Sequence, residues 1–255
     1  MVACSNRARS IHGDRMKLNI TLWLIIINII VFFAQYIAYA TQFDFIKTVI
    51  ETEDFSGNKE TIDCVPGDRS WDTGCDAVSD ILGLNMRTLV TRGYVWQIFT
   101  YMFTHGGFYH IFFNMFGLMI FGPKIEFTMG SNRYLKYYLI CGICSSLFYM
   151  LITGLATGIS SVPMVGASGA IFGVLTAYGL MYPRDTVYVQ FFLPMPAIVF
   201  VFFYGIIQLI GGVASLFAPS SGGIAYFGHV GGMIAGFILI KYFDYGRRRI
   251  RYFWE

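Results

Sequence analysis

Four polar side chains that could act together in catalysis stand inside otherwise apolar stretches of the sequence. His110 and Asn114 belong to His-Ile-Phe-Phe-Asn, Ser168 to Gly-Ala-Ser-Gly and His229 to Gly-His-Val-Gly-Gly. A serine hydroxyl becomes an effective nucleophile when a neighbouring base accepts its proton, and His229 is the candidate base for Ser168. Attack on a carbonyl develops an oxyanion that needs fixed hydrogen-bond donors, which His110 and Asn114 carry. The residue types therefore predict acyl transfer by a Ser–His dyad.

Each of these residues also has a purely structural explanation. A lone serine in an apolar helix usually bonds to the backbone of its own helix. A lone His or Asn in a membrane span more often joins two helices than takes part in chemistry. The spacing by itself shows only that His110 and Asn114, four residues apart, share one helix face. A catalytic role requires elements that bring the four side chains together.

The composition predicts that those elements are membrane helices. Of the 255 residues, 56% are hydrophobic and 13% are charged. A soluble domain of this length could not bury so much apolar surface, and a disordered chain would be far less apolar. The net charge of +3 is too small to indicate nucleic-acid binding. We expect an all-α polytopic membrane protein.

Six stretches are candidate membrane helices, since a span needs about 20 mostly apolar residues. Two of the six are short, and residues 96–103 could lead into the second span along the membrane surface. The candidate spans are residues 19–40, 108–121, 134–155, 168–181, 187–210 and 224–243.

The basic residues predict how these spans are oriented. Thirteen of the 18 Lys and Arg residues precede the first span, follow the second or fourth, or close the sixth. Residues 41–95 instead hold ten of the 15 acidic residues. Positive charge marks the cytoplasmic side, so we expect a multi-pass protein with both termini in the cytoplasm, in the inner membrane if the cell is bacterial.

This orientation divides the chain into three parts. We expect a cytoplasmic N-terminal segment (residues 1–18), a six-helix membrane domain (residues 19–243) and a basic cytoplasmic tail (residues 244–255). The membrane domain includes a long outer loop, residues 41–95, which is long enough to fold in part. Cys64 and Cys75 of this loop could form a disulfide in an oxidising compartment, but spacing alone does not establish one.

The orientation also places the four polar residues at one depth. Helices two, four and six all descend from the outer side, so Ser168, His229, His110 and Asn114 fall in the outer third of the membrane. Small residues recur every four positions in helices four and six and would let the two backbones approach closely. The outer halves of these helices contain no Asp or Glu. We therefore expect a dyad without a carboxylate partner.

With these motifs in this order, the chain resembles the rhomboid family of intramembrane serine proteases over about residues 96–243. The resemblance rests on His-x-x-x-Asn, Gly-x-Ser-Gly and Gly-His-x-Gly-Gly, together with Gly122-x-x-x-Glu126 and Thr104-His105. It implies a six-helix bundle with a water-filled cavity open to the outer side, a membrane-inserted hairpin in the first loop and a lateral substrate gate at helix five.

The resemblance also assigns roles to individual residues. Ser168 would be the nucleophile and His229 the general base, with His110, Asn114 and the Ser168 backbone forming the oxyanion hole. Residues expected to support this site are Gly166, Gly169, Phe172, Gly228, Gly232, His105, Trp96 and Glu126.

Two positions depart from the family pattern. Gln97 follows Trp96 where an arginine is common in the family. A possible salt bridge is therefore lost, and the resemblance does not determine how the first loop packs. Phe172 stands where a tyrosine is common, one turn after the serine. Its ring could still stack on His229, without a hydroxyl.

The leading hypothesis is an endopeptidase that cuts transmembrane segments of other membrane proteins. We expect its partners to be such substrates and the lipid bilayer, with no nucleic acid, no metal and no other cofactor. Two alternatives are an inactive rhomboid-like protein that binds transmembrane clients and, less favoured, a small transporter. The sequence leaves the substrate and the oligomeric state open.

Overall fold

The computed structural model describes residues 19–40, 51–53, 59–61, 77–158, 163–189, 192–217 and 225–245. The disulfide that Cys64 and Cys75 could form lies outside these residues, as do residues 1–18 and 246–255 of the terminal segments. In chain order the described elements are α1 (Ile20–Ala40), β1 (Glu51–Glu53), β2 (Lys59–Thr61), α2 (Ala77–Leu82), α3 (Met86–Arg92), α4 (Gln97–Thr100), a 3-10 turn (Tyr101–Phe103), α5 (Phe108–Met129), α6 (Ser131–Thr157), α7 (Ser168–Met181), β3 (Thr186–Val189), β4 (Leu193–Pro196), α8 (Ala197–Phe217) and α9 (Tyr226–Tyr245).

In the described part of the chain, six helices of 14 to 27 residues form the bundle, and the chain is an all-α polytopic membrane protein with two short hairpins. Three of the described helices are long and apolar enough to cross a membrane by length and composition alone, namely α1, α6 and α8. Helix α7 coincides with the fourth predicted span, and α1 begins one residue later than the first. Helix α5 continues to Met129, past the predicted end at residue 121, because Ile125 and Glu126 are buried against the bundle.

The predicted start of the fifth span is wrong. Strands β3 and β4 pair antiparallel over residues 186–189 and 193–196, and α8 begins only at Ala197. Pro194 and Pro196 explain the difference, since proline has no backbone N–H and is tolerated only at a helix start. The Val-Tyr-Val run of β3 also favours an extended chain.

Helix α7 lies at the centre of the bundle. Ten of its 14 residues are buried, and it packs against α5, α6, α8 and α9. Helix α8, in contrast, exposes most of its apolar side chains, as expected for a helix that faces lipid. The site residues on α7 are therefore held by the most enclosed element of the fold.

The described part of the first loop is tied together by a buried glutamine. Gln97 accepts hydrogen bonds at Oε1 from the backbone N–H of Asn85 (3.2 Å) and from the Thr88 hydroxyl (2.9 Å). The indole of Trp96 donates to the carbonyl of Ile81 at 2.8 Å. Gln97 thus joins α3 and α4 through hydrogen bonds between uncharged groups. This is the position at which an arginine is expected from the family pattern described above.

Glu126 organises the opposite end of α5. Its carboxylate accepts hydrogen bonds from the backbone N–H groups of Ile20 and Thr21 and from the hydroxyls of Thr21 and Ser131. These bonds satisfy open amides at the start of α1, where a negative charge is favourable. Glu126 therefore links α1, α5 and α6 and lies at the end of α5 distant from His110.

Candidate active site

Ser168 and His229 meet where α7 and α9 begin. Ser168 is the first residue of α7, His229 the fourth residue of α9, and the Ser168 Oγ and His229 Nε2 atoms are 2.7 Å apart. Ser168 is half-buried and His229 is buried. This is the geometry of a nucleophile hydrogen-bonded to its base.

The second ring nitrogen of His229 has a partner from a third helix. His229 Nδ1 lies 2.7 Å from Oε1 of Gln208 on α8. An amide oxygen only accepts hydrogen bonds, so this contact puts the ring proton on Nδ1 and leaves the Nε2 lone pair for the Ser168 hydroxyl. Gln208 is absent from the residues expected from the sequence, because a carboxylate is the usual third member of such a group. The available signal was a single amide in Ile-Ile-Gln-Leu-Ile.

Phe172 covers one face of the His229 ring. The two ring centroids are 4.3 Å apart with an interplanar angle of 12°, and Tyr204 of α8 stacks on Phe172 in turn. Stacked rings restrict rotation of the imidazole about its side-chain bonds. The phenylalanine at this position therefore makes the ring contact without the tyrosine hydroxyl.

His110 approaches the turn that precedes Ser168. Its Nδ1 accepts a hydrogen bond from the backbone N–H of Gly106 at 3.3 Å, which leaves the proton on Nε2. The backbone at Gly166 has φ +111°, and a Cβ there would lie 2.6 Å from His110 Nε2. The positive φ and the short distance to His110 both require glycine at position 166. Because glycine has no side chain, the Nε2–H of His110 can reach the site.

Asn114 lies one turn further along α5 and is buried. Its Nδ2 donates to the His110 carbonyl at 2.8 Å, which uses one of the two amide hydrogens. Its Oδ1 has no hydrogen-bond partner among the described residues. Asn114 is thus placed beside His110, with one N–H left for a further acceptor.

The start of α7 supplies backbone donors. Its first intrahelical hydrogen bond runs from the Ile171 N–H to the Ala167 carbonyl, so the amide of Ser168 has no acceptor within the helix. The Ala167 N–H points to Nε2 of His105 at 3.5 Å. His105 is itself buried, and its ring stands edge-on to that of His110. His105 therefore supports the turn before Ser168.

The remaining predicted residues fall into two groups. Gly169, Gly228 and Gly232 lie around the site, where added side-chain atoms would collide with Ser145, Met164 and the Gly169 carbonyl respectively. Trp96 and Glu126 do not join the site: the Trp96 indole bonds to α2 of the first loop, and Glu126 ties α1 to α5. Among the residues that the structure describes, no three His, Cys, Asp or Glu side chains are grouped as metal ligands would be.

A comparison with known protein families finds one whose sequence model matches the part of the chain that contains this site. The family model for the rhomboid domain matches residues 92–245, which include α5 to α9 and all four polar side chains. The chain belongs to the rhomboid family. The rhomboid domain begins near the end of α3, so α1 lies outside the match.

Individual rhomboid relatives show the same likeness. The chain is 32% identical to RHOMBOID-like protein 1 of Arabidopsis thaliana over 157 residues, which are 61% of this chain and 36% of that protein. It is 34% identical to Rhomboid protease GluP of Bacillus subtilis over 155 residues, 61% of this chain and 27% of GluP. The chain spans about a third of the length of the curated relatives it matches.

The rhomboid relatives are not uniform in their names. Inactive RHOMBOID-like protein 8 of Arabidopsis thaliana is 30% identical over 95 residues, which are 37% of this chain and 25% of that protein. The family thus contains proteins named as proteases and a protein named as inactive. Membership of the family identifies an integral membrane protein of rhomboid type. Whether the protein is a protease has to be argued from the residues of the site.

Proposed function

We propose that the protein is an intramembrane serine endopeptidase that cleaves transmembrane segments of other membrane proteins. The observation that carries this function is the 2.7 Å contact between Ser168 Oγ and His229 Nε2 inside the helix bundle. A structural serine in an apolar helix would be expected to bond to its own backbone, whereas this hydroxyl faces a histidine from another helix.

The reaction begins with proton transfer from Ser168 to His229. The hydroxyl oxygen attacks the peptide carbonyl while His229 Nε2 accepts the proton, and a tetrahedral intermediate forms. The C–N bond then breaks as the imidazolium returns the proton to the leaving amine, which leaves an acyl ester on Ser168. Water attacks this ester while His229 accepts one of its protons. The ester C–O bond then breaks, His229 returns that proton to the Ser168 oxygen, and the acid product is released.

Three donors are available for the oxyanion of these steps. They are the Nε2–H of His110, the second Nδ2–H of Asn114 and the backbone N–H of Ser168. His110 is supported in this role by its Gly106 contact, which directs the donor hydrogen to Nε2. Each donor is held by a helix or a tight turn, so little reorganisation is needed when negative charge develops.

The substrate is a segment that can leave the helical conformation. A helical backbone shields its carbonyls, and the bilayer penalises unpaired backbone groups, so cleavage requires local unwinding inside a protein cavity. Small and helix-breaking residues lower the free energy of unwinding. By the charge distribution of the chain, we place the site near the outer side of the membrane and both termini in the cytoplasm.

A rhomboid-like protein that binds clients without cutting them is the competing function. It is motivated by the relative named inactive. Because such a protein needs no activated serine, the hydrogen bond between Ser168 and His229 favours the protease.

The two functions are separated by a cleavage assay in proteoliposomes. Purified protein is mixed with a single-span substrate that carries Gly and Pro near its outer end, beside a matched Leu-rich span. We expect wild-type protein to cut the first substrate, and Ser168→Ala and His229→Ala to lose cleavage while keeping the wild-type unfolding midpoint. Cleavage that persists in Ser168→Ala would contradict the serine mechanism, and folded wild-type protein that binds but never cuts would favour the client-binding function.

A further inference from the structure

Gln208 occupies a position where an amide is costly. It lies in the apolar helix α8 and is 5% exposed, whereas its neighbours Ile207, Leu209 and Ile210 are 55%, 50% and 63% exposed. An amide removed from water, in a helix that otherwise faces lipid, is tolerated when it is hydrogen-bonded. The side-chain oxygen of Gln208 is hydrogen-bonded, since it lies 2.7 Å from His229 Nδ1.

The contact determines which nitrogen of His229 can act as a base. With the proton held on Nδ1, the lone pair on Nε2 faces the Ser168 hydroxyl. With the opposite tautomer, Nε2 would carry a hydrogen and could not accept the serine proton. In Ser-His-Asp proteases a carboxylate performs this selection and also stabilises the imidazolium.

Packing between α8 and α9 holds the amide in register with the ring. A Cβ on Gly212 would lie 3.0 Å from the ring of Phe227, and one on Gly205 would lie 2.8 Å from Cε of Met233. Side chains of α9 thus fill the space that these glycines leave on α8, on either side of Gln208. Because the two helices interlock, the backbone of α8 holds Gln208 at a fixed position beside His229.

We propose that Gln208 is the positioning residue of His229, a neutral acceptor that selects the Nδ1–H tautomer and orients the ring toward Ser168. This inference rests on the proposed protease function. It replaces the expectation of a two-residue dyad with a three-residue Ser168–His229–Gln208 group drawn from α7, α9 and α8. Gln208 acts through His229 and touches no reacting atom.

Three variants test the role in reconstituted protein. Gln208→Met keeps the length of the side chain and removes the acceptor, Gln208→Glu keeps an acceptor oxygen, and Ser215→Ala removes an unrelated hydrogen bond to the Gly212 carbonyl on the same helix. We expect Gln208→Met to lower kcat by roughly 10²-fold with little change in KM, since that is the lower end of what a correctly placed general base contributes. Gln208→Glu should recover most of the lost kcat, and Ser215→Ala should match wild type.

A spectroscopic readout makes the test independent of turnover. Nitrogen chemical shifts of ¹⁵N-histidine protein, assigned by loss of the signal in His229→Ala, report which ring nitrogen is protonated. We expect the proton of His229 on Nδ1 in wild type and a loss of that preference in Gln208→Met. A proton on Nε2 in wild type, an unchanged kcat in Gln208→Met, or a folded Gln208→Glu as slow as Gln208→Met would each overturn the inference. Failure of the protease function itself is distinguishable, because wild-type protein would then show no cleavage whatever its tautomer.

Discussion

The backbones of Gly169 and Gly232 touch where α7 crosses α9. A Cβ built on Gly232 would lie 2.0 Å from the carbonyl oxygen of Gly169. Ser168 precedes the first of these glycines directly, and His229 lies three residues before the second. The close crossing of the two helices is thus the structural reason that the serine and the histidine come within hydrogen-bond distance.

This crossing predicts that a single methyl group at position 232 abolishes cleavage. Gly232→Ala forces the two backbones apart, and overpacking of this kind costs about 1–3 kcal/mol of stability. Cleavage by reconstituted protein and thermal unfolding in detergent measure the two effects. The control is Gly117→Ala on α5, where the new Cβ would lie 3.6 Å from Ile171 Cγ2, an ordinary contact. Equal activity in the two variants would show that the crossing does not position the dyad.

A substitution in the turn before Ser168 separates the effect of backbone strain from the effect of a steric clash with His110. Gly166→Ala places a residue with a side chain at φ +111° and a Cβ 2.6 Å from His110 Nε2. We expect at least a tenfold loss of kcat, because the His110 donor is displaced. Gly158→Ala is the matched control, since its φ is +79° with no atom within 4 Å of the new Cβ. That variant should lose about 1 kcal/mol of stability from backbone strain and keep wild-type cleavage.

The stack between Phe172 and His229 predicts a smaller effect. Phe172→Leu keeps an apolar side chain but removes the ring, and aromatic pairs contribute about 0.5–1.5 kcal/mol beyond buried area. If that free energy orients the imidazole, kcat should fall by roughly three- to tenfold. Phe172→Tyr retains the ring and should stay close to wild type. A Phe172→Leu protein with unchanged kcat would assign the stack to packing alone.

An ion pair at the other end of α7 predicts a dependence of stability on pH. Asp185, in the turn after α7, accepts hydrogen bonds at Oδ2 from Lys124 and from the Tyr178 hydroxyl. Partial burial raises the pKa of Asp185, but the two hydrogen bonds and the Lys124 charge outweigh it, so the pKa lies below its usual range. A lowered folded-state pKa means that the stabilisation is present above the unfolded pKa of about 3.9 and is lost as the pH falls through the folded value.

Unfolding midpoints of wild type and Asp185→Asn test this pair. At pH 7 we expect the variant to be less stable by about 1 kcal/mol, a value typical of a partly exposed pair. The difference should shrink as the pH falls below about 4, because the carboxyl of the unfolded chain is then protonated first and the folded carboxyl follows at its lower pKa. A difference that stays constant down to pH 3 would contradict the ionic contribution of Asp185.

Much of the bundle follows from patterns that are visible in the sequence. The bounds of α7 follow from an apolar run between the uncharged loop before Ser168 and the Tyr-Pro-Arg turn after Met181. Helix α8 was misplaced at its start because apolar content alone does not distinguish the β3–β4 hairpin from a helix, whereas the two prolines do. Hydropathy also ended α5 too early, since the burial of Glu126 depends on α1, a tertiary partner.

The polar partners of the site were less accessible to sequence reasoning. Ser168, His229, His110 and Asn114 were identifiable because membrane spans contain few polar residues. Gln208 required knowledge of which α8 face meets α9, and hydropathy does not carry that information. Gln97 likewise reads as the loss of a charge, yet in the fold its neutral amide accepts from two groups of the first loop.

Covalent labelling of the serine tests whether His229 activates Ser168. A fluorophosphonate probe is added to reconstituted wild type, Ser168→Ala and His229→Ala, and the labelled residue is located by mass spectrometry. We expect a label on Ser168 in wild type, none in Ser168→Ala and a strongly slowed reaction in His229→Ala. Labelling that persists in Ser168→Ala, or that proceeds at the wild-type rate without His229, would show that His229 does not activate Ser168 as a nucleophile.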